Sequence, residues 1–432
     1  MSTDSAGQPL HWRKISKEPD FQGSPLQGDI EVDVCIVGGG FTGLNAALTL
    51  ARGGAKVAVL EAGTIGIDGA SGRANGQVIP HHTKKSPSEV VAQFGRHRGE
   101  IFNAIVESGP RSVFETVERY DIGCDLTKNG WLQPAHSPAA LERARLYYGD
   151  WKALGAEVEW LDKAATREKM GTDAYLGAWR TRHAGQINPY ALAQGLARAV
   201  VSEGAAIHPQ TRAIAVDRQA GGWRVVTPRG SVRCRVMLAC TNALTDGFWP
   251  GLKSVVIPLK TYQVATRPLP PEWRARILPG GEGFSDSLRD TRAMRYDVRG
   301  GLAMVGIHTL WHDAARRGKD YVTGRLRALF PGFPENFIEE YWEGTIGIVP
   351  DRLPRLIRLG EGAYFIGIYS GRGIALSSGW GRTMAEFILG QRPEADLPIP
   401  LTGKRSVPAH PVAVQVAKYV VPFMQMRDRM EQ

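Results

Sequence analysis

At 432 residues, the chain is too long for one ordinary domain, and two packed domains are expected. Hydrophobic residues at 43% and charged residues at 22% supply a core and exclude global disorder, and no apolar run approaches the roughly 20 residues of a membrane-spanning helix. The net charge of +10 comes from basic residues dispersed along the chain, with no Lys/Arg tract interleaved with aromatics, so it is read as solubility and no nucleic-acid partner is expected.

Residues 1–28 are polar, punctuated by Pro9, Pro19, Gly23, Pro25 and Gly28, and read as an extended arm laid over the surface. Val32, Val34, Ile36 and Val37 then form a β-branched strand. It runs into Gly38-Gly39-Gly40-Phe41-Thr42-Gly43, and a Leu/Ala-rich helix follows from Leu44 to Ala51, stopped by Gly53-Gly54. A second strand, Lys56 to Leu60, delivers Glu61. Strand, glycine turn, helix, strand and acid in this order make a dinucleotide-binding fingerprint. Gly38 permits the tight turn, Gly40 lets backbone approach a pyrophosphate, Gly43 lets the helix pack on the strand, and the helix N-terminus attracts phosphate charge. Glu61 can accept from ribose hydroxyls and would repel a 2′-phosphate, which leaves NAD or FAD.

Gly66 to Pro80, GIDGASGRANGQVIP, is a second glycine-rich loop where a plain NAD domain would enter its next helix. Asn188-Pro189-Tyr190 caps a helix with Leu192, Leu196 and Val200 on its buried side. Ala205 to His208, Thr211 to Val216, Trp223 to Thr227, Ser231 to Cys234 and Val236 to Ala239 read as short strands, the last ending in Cys240-Thr241-Asn242-Ala243. Near the C-terminus stand WEGTIGIVPDRLP, from Trp342 to Pro354, and the turn Tyr369-Ser370-Gly371-Arg372-Gly373-Ile374 before a helix. The tail from Pro411 to Gln432 is amphipathic and basic. It either packs on the body of the protein or makes a peripheral membrane contact that passes electrons to a quinone.

These segments resemble the D-amino-acid oxidase superfamily of FAD-dependent amine oxidoreductases, and most of all its γ-glutamylputrescine oxidoreductase branch. Pro25 to Asp29, Asp33 to Leu44, and Gly69 to Gln77 match that branch, with Ala74-Asn75 standing where Asn-Gly is usual. The resemblance implies an α/β protein with a discontinuous Rossmann-like FAD-binding domain (29–90, 150–255 and 345–400). The second, α+β domain (91–149 and 256–344) would be an antiparallel-sheet substrate domain, and 401–432 the tail. It implies FAD contacts from Gly38, Gly40, Thr42, Gly43, Glu61, Ala62, Ser71, Arg73, Ala74, Asn75, Gln77, Ala213, Thr241, Asn242, Gly344, Ser370, Gly371, Arg372, Gly373 and Ile374.

Because flavin accepts the hydride, the protein need only hold a C–H bond over N5 and stabilise charge on the reduced ring. Arg372 at a helix N-terminus suits that task. Tyr262 and His308, on substrate-domain strands, are the other catalytic candidates, and Lys260 is a candidate source of charge near N5. In the glycine oxidase branch an Arg five residues before the acid binds the substrate carboxylate; counting back from Asp351 gives Ile346. An isoleucine makes no such pair. The expected substrate is therefore an amine, an N-substituted amine, or an amino acid whose carboxylate lies elsewhere, with oxygen or a quinone as electron acceptor. No cysteine follows Cys240 and Gly69 to Gln77 lacks a histidine, so the FAD is expected to be non-covalent. Cys35, Cys124, Cys234 and Cys240 show no CxxC spacing and no signal segment is evident, which predicts a reduced cytoplasmic setting. His81-His82 has no third ligand at suitable spacing, so no metal is assigned. The alternatives are an NAD-dependent dehydrogenase and a non-catalytic flavin-binding or RNA-associated subunit.

Overall fold

The computed structural model describes residues 10–307 and 313–430. Its framework is a pair of eight-stranded sheets. In the first, Ala363–Gly367, Gly230–Ala239, Ile30–Val37, Val57–Leu60 and Ala206–His208 lie side by side and parallel. Arg355–Gly360 adds antiparallel at one edge, while Gly222–Thr227 and Ala215–Gln219 branch from Gly230–Ala239. Val34, Cys35, Ile36 and all of Val57–Leu60 are buried, as parallel strands covered on both faces require. Helices Phe41–Arg52, Pro189–Ser202 and Gly373–Ile388 share one apolar core with this sheet.

The second sheet runs Ile338–Ile348, Ile257–Thr266, Leu302–Ile307, Ala293–Tyr296, Gly283–Ser285, Trp131–Ala135, Gly177–Thr181, Val158–Leu161. It is antiparallel except where Gly283–Ser285 meets Trp131–Ala135. Helix Ala314–Leu329 packs on it through Val322, Leu326 and Leu329.

Two segments lie elsewhere than the sequence reading placed them. Val158–Leu161 and Gly177–Thr181, assigned above to the nucleotide-binding segment 150–255, pair in the second sheet beside Trp131–Ala135. Helix Arg96–Arg119, assigned to the substrate segment, packs against Gly373–Ile388, with the Phe102 and Trp380 rings 5.0 Å apart. Strand pairing and helix packing across long separations decided both, and neither leaves a local mark on the sequence.

The arm is likewise more than a surface strap. His11 and Trp12 are fully buried in a short helix, His11–Lys14. Trp12 lies under the Arg295 guanidinium at 4.3 Å and donates from Nε1 to the Ala74 carbonyl at 2.8 Å, tying the arm to the second glycine loop. At the other end, helix His410–Met430 lies against the body. Asp428 accepts from the backbone N–H groups of Arg289 and Asp290 at 3.1 and 3.0 Å, and His410 Nε2 sits 2.8 Å from the Val256 carbonyl.

Candidate active site

A cavity of about 2170 Å³ opens between the sheets. Its first wall is the glycine turn after Ile30–Val37. Gly38 has φ +109, and a Cβ on Gly43 would lie 2.0 Å from the Gly38 carbonyl oxygen. Only glycine allows that turn and that approach of helix to strand. Glu61, at the end of Val57–Leu60, accepts from Gly39 N and Gly63 N at 2.8 Å each. Burial pushes its pKa up against the restraint of those two bonds.

The loop after Glu61 forms the second wall. Ser71 Oγ accepts from Phe41 N at 3.0 Å, fixing the loop over the helix N-terminus. The Arg73 side chain is committed to protein: Nη1 donates to the Glu343 carbonyl at 2.8 Å and Nε to Ile67. Its own carbonyl accepts from Trp342 Nε1 at 3.0 Å, so the loop is fastened to Ile338–Ile348. Asn75 accepts from Gln77 Nε2 at 2.7 Å and donates toward Gln263 and Ala303, while the buried Gln77 Oε1 has no partner among the described residues.

The third wall is the turn before Gly373–Ile388. Ser370 (φ 50) and Gly371 (φ 96) both have left-handed backbone, and the Ser370 hydroxyl is buried without a partner among the described residues. Arg372 occupies the N-cap position, with its guanidinium 4.7 Å from the Trp131 ring centroid and its buried Nη1 unbonded among the described residues. Burial lowers its pKa to about 10, so it remains cationic at neutral pH. Asn242 supports this turn by accepting from Ile368 N at 3.2 Å.

The structure thus brings together on one cavity Gly38, Gly40, Thr42, Glu61, Ala62, Ser71, Arg73, Ala74, Asn75, Gln77, Ala213, Thr241, Asn242, Gly344 and Ser370 to Ile374. Gly43 stands behind the wall as a packing glycine. Tyr262 does not face the cavity, a correction to its expected catalytic place. Thr261 and Gln263 line the cavity, and strand alternation turns Tyr262 to the opposite face, where its buried ring stacks on Tyr341 at 5.6 Å. His308 lies outside the described residues. Lys260 lines the cavity and pairs with Glu343 at 3.7 Å. Sequence reasoning missed Lys84 and Arg352, which also line it; each is an unremarkable basic residue in its local context.

The volume exceeds the roughly 300–1,000 Å³ of an ordinary ligand pocket, leaving room for a dinucleotide and a substrate together. The glycine cradle, the carboxylate at the strand end and the unpartnered polar atoms of Gln77 and Ser370 fit such a cofactor. Fold and site define a dinucleotide-dependent oxidoreductase.

The chain matches the family model described as DAO, FAD dependent oxidoreductase, over residues 33–387. It is 30% identical over 403 residues to the probable oxidoreductase OrdL of Rhizobium meliloti, covering 92% of each chain. To the gamma-glutamylputrescine oxidoreductase of Escherichia coli it is 29% identical over 417 residues, covering 94% of this chain and 95% of that one. Among solved structures, glycine oxidase from Geobacillus kaustophilus superposes with a TM-score of 0.70 at 23% identity, covering 87% of this chain and 99% of that one. L-amino acid deaminase from Proteus vulgaris superposes with 0.71 at 17% identity, covering 88% and 99%. The protein belongs to the DAO family of FAD-dependent oxidoreductases. Its cofactor is FAD, which replaces the NAD alternative, and it is held non-covalently.

Proposed function

We propose that the protein oxidises the C–N bond of an amine or amino acid. The carrying observation is the single cavity walled by both the dinucleotide fingerprint and the second sheet, in a chain alike over nearly its whole length to an amine-oxidising relative. Bound FAD would supply the two-electron acceptor for this oxidation, and the imine product would be hydrolysed by water to a carbonyl compound and an amine or ammonia.

The chain's own residues perform the rest. The turn Gly38 to Gly43 and the N-terminus of Phe41–Arg52 would hold the cofactor's phosphate charge, Glu61 would hold its ribose hydroxyls, and Ser71, Asn75 and Gln77 would line its path. Arg372 at the start of Gly373–Ile388 would contribute a fixed positive charge to stabilise negative charge on the reduced cofactor. Ile346 lines the cavity at the position where an Arg would take the carboxylate of a simple amino acid, which supports a larger or differently anchored substrate. The acceptor of the electrons is oxygen or a quinone. Helix His410–Met430, with exposed Val412, Val416, Tyr419 and Phe423, is the surface for a peripheral membrane contact. No helix among the described residues is long and apolar enough to cross a membrane. The reading places the enzyme in the cytoplasm.

The test is a panel of polyamines, γ-glutamyl amines, N-methyl amino acids, D-amino acids and cyclic imino acids, each added anaerobically to the purified flavoprotein. Bleaching of the flavin band by an amine, with comparable efficiency absent for glycine and sarcosine, supports the reading. Equal efficiency for glycine contradicts the substrate class.

A further inference from the structure

Three consecutive carbonyl groups of the second glycine loop are captured by side chains remote in sequence. The Arg73 carbonyl accepts from Trp342 Nε1 at 3.0 Å and from Gln263 Nε2, the Ala74 carbonyl from Trp12 Nε1 at 2.8 Å, and the Asn75 carbonyl from Arg295 Nε at 2.7 Å. Ala74 to Gly76 lie between the short helix Ser71–Arg73 and strand Gln77–Val78, so these side chains set the course of the backbone there. Of the four donors, only Trp12 stands outside residues 33–387, the span of the family match.

The arm that carries Trp12 is firmly seated. Leu10 and Trp12 share a buried apolar cluster with Tyr190, Ala265, Ala303 and Trp342. Asn188 Nδ2 donates to the Trp12 carbonyl at 2.9 Å, the His11 ring stands 3.1 Å from Asp297, and Glu18 accepts from Gly123 N at 2.6 Å.

A trans peptide is planar, and its C=O and N–H point in opposite directions. The bond from Trp12 to the Ala74 carbonyl therefore turns the Asn75 N–H, the other half of the same peptide, away from the arm. The cavity is lined by both Ala74 and Asn75, and the Asn75 N–H has no acceptor among the described residues. Ser71 is fastened at the helix N-terminus, where phosphate charge collects, whereas the Asn75 side chain reaches Gln263 and Ala303 of the second sheet. On the side of its phosphates away from the adenosine ribose, FAD carries the flavin ring. We infer that Trp12 is a positioning residue for the flavin: the N-terminal arm aims the Asn75 N–H at the ring and so sets its redox potential. An N–H donor favours the electron-rich reduced ring over the oxidised one. The inference concerns the cofactor and is independent of which substrate is oxidised.

The readouts need no turnover. Trp12→Phe keeps an aromatic ring in the cluster and removes the donor. Its affinity for reduced relative to oxidised flavin should fall by about tenfold, the scale of one hydrogen bond to a charged group, which lowers the two-electron midpoint potential by about 30 mV. Asp20→Asn loosens the arm where Arg13 and Tyr190 bond to Asp20 and leaves the loop untouched, so it should keep the wild-type potential. An unchanged potential in Trp12→Phe would overturn the inference. So would an equal shift in Asp20→Asn, which would make general seating of the arm responsible. Coupling between two sites is reciprocal, so the wild-type protein gives an independent test. Removal of FAD should speed hydrogen exchange in residues 10–15 by about tenfold. Equal protection of the arm with and without FAD would also overturn the inference, whether or not the variants fold.

Discussion

Thr42 Oγ1 and Tyr369 OH lie 2.9 Å apart, both buried, across 327 positions of sequence. One belongs to the first turn of the fingerprint helix and the other to the turn that precedes Gly373–Ile388. The bond therefore couples the phosphate end of the cavity to the turn that carries Arg372. In Tyr369→Phe the ring is kept and a buried partner is lost, at a cost of about 1–3 kcal/mol. A double-mutant cycle with Thr42→Val, followed by denaturant unfolding, should give a coupling of about 1 kcal/mol. Additive effects would mean that the two turns are held independently.

Gly43→Ala tests the cradle. The added Cβ would meet the Gly38 carbonyl oxygen at 2.0 Å, and because the obstacle is backbone, the turn itself must shift. Overpacking of this kind costs about 1–3 kcal/mol. FAD affinity, read by fluorescence titration of apoprotein, should fall by about tenfold or more. A variant that purifies with full flavin would show that the turn is not where the phosphates bind.

Acid should weaken the fold through His82. Its ring is buried between Phe102 and Trp151 and bonded to Asn103 Oδ1 at 2.8 Å, and burial holds its pKa down at about 4. The neutral form is favoured in the folded state, so the unfolded chain binds the extra proton first. Stability contributed by the neutral ring is complete above pH 6.5 and falls as pH drops toward 4, by about 3 kcal/mol in all. His81, held neutral by burial among Trp131, Trp151 and Trp179, acts in the same direction. His82→Gln should flatten the pH dependence of the unfolding free energy across that window. An unchanged slope would place the acid sensitivity elsewhere.

Much of the first sheet and its turn was legible because the signals are local. Gly38 to Gly43 and Glu61 are set by spacing along one strand-helix-strand unit. Tyr262 was misjudged because neither face of its strand is uniformly polar or apolar, and a shift of one residue exchanges the faces. The side chains of Thr261 and Gln263 were the available clue, since polar residues at alternate positions mark one face. Nothing local marks Lys84 or Arg352, which line one cavity only because chain segments remote in sequence come together there. The transfer of Val158–Leu161 and Gly177–Thr181 to the second sheet depends in the same way on a pairing partner, Trp131–Ala135, that the sequence does not name.

The tail helix offers a further test of long-range packing. Asp428→Ala removes the acceptor of two backbone N–H groups and of Arg289 Nη1, which donates at 3.1 Å. Each charge-assisted bond is worth about 1.5–3 kcal/mol. Hydrogen exchange in His410–Met430 should accelerate by at least about tenfold, with little change in the strands Ile30–Val37 and Val57–Leu60. Unaltered protection would show that the apolar contacts of Ala417 suffice to seat the helix.

Anaerobic titration of the purified protein with amines decides whether its bound FAD oxidises amines. A flavin absorption spectrum is expected at the start, with stoichiometric bleaching of its visible band by an amine. A protein without the flavin spectrum, or one whose flavin stays oxidised in the presence of every amine and amino acid of the panel, would contradict it.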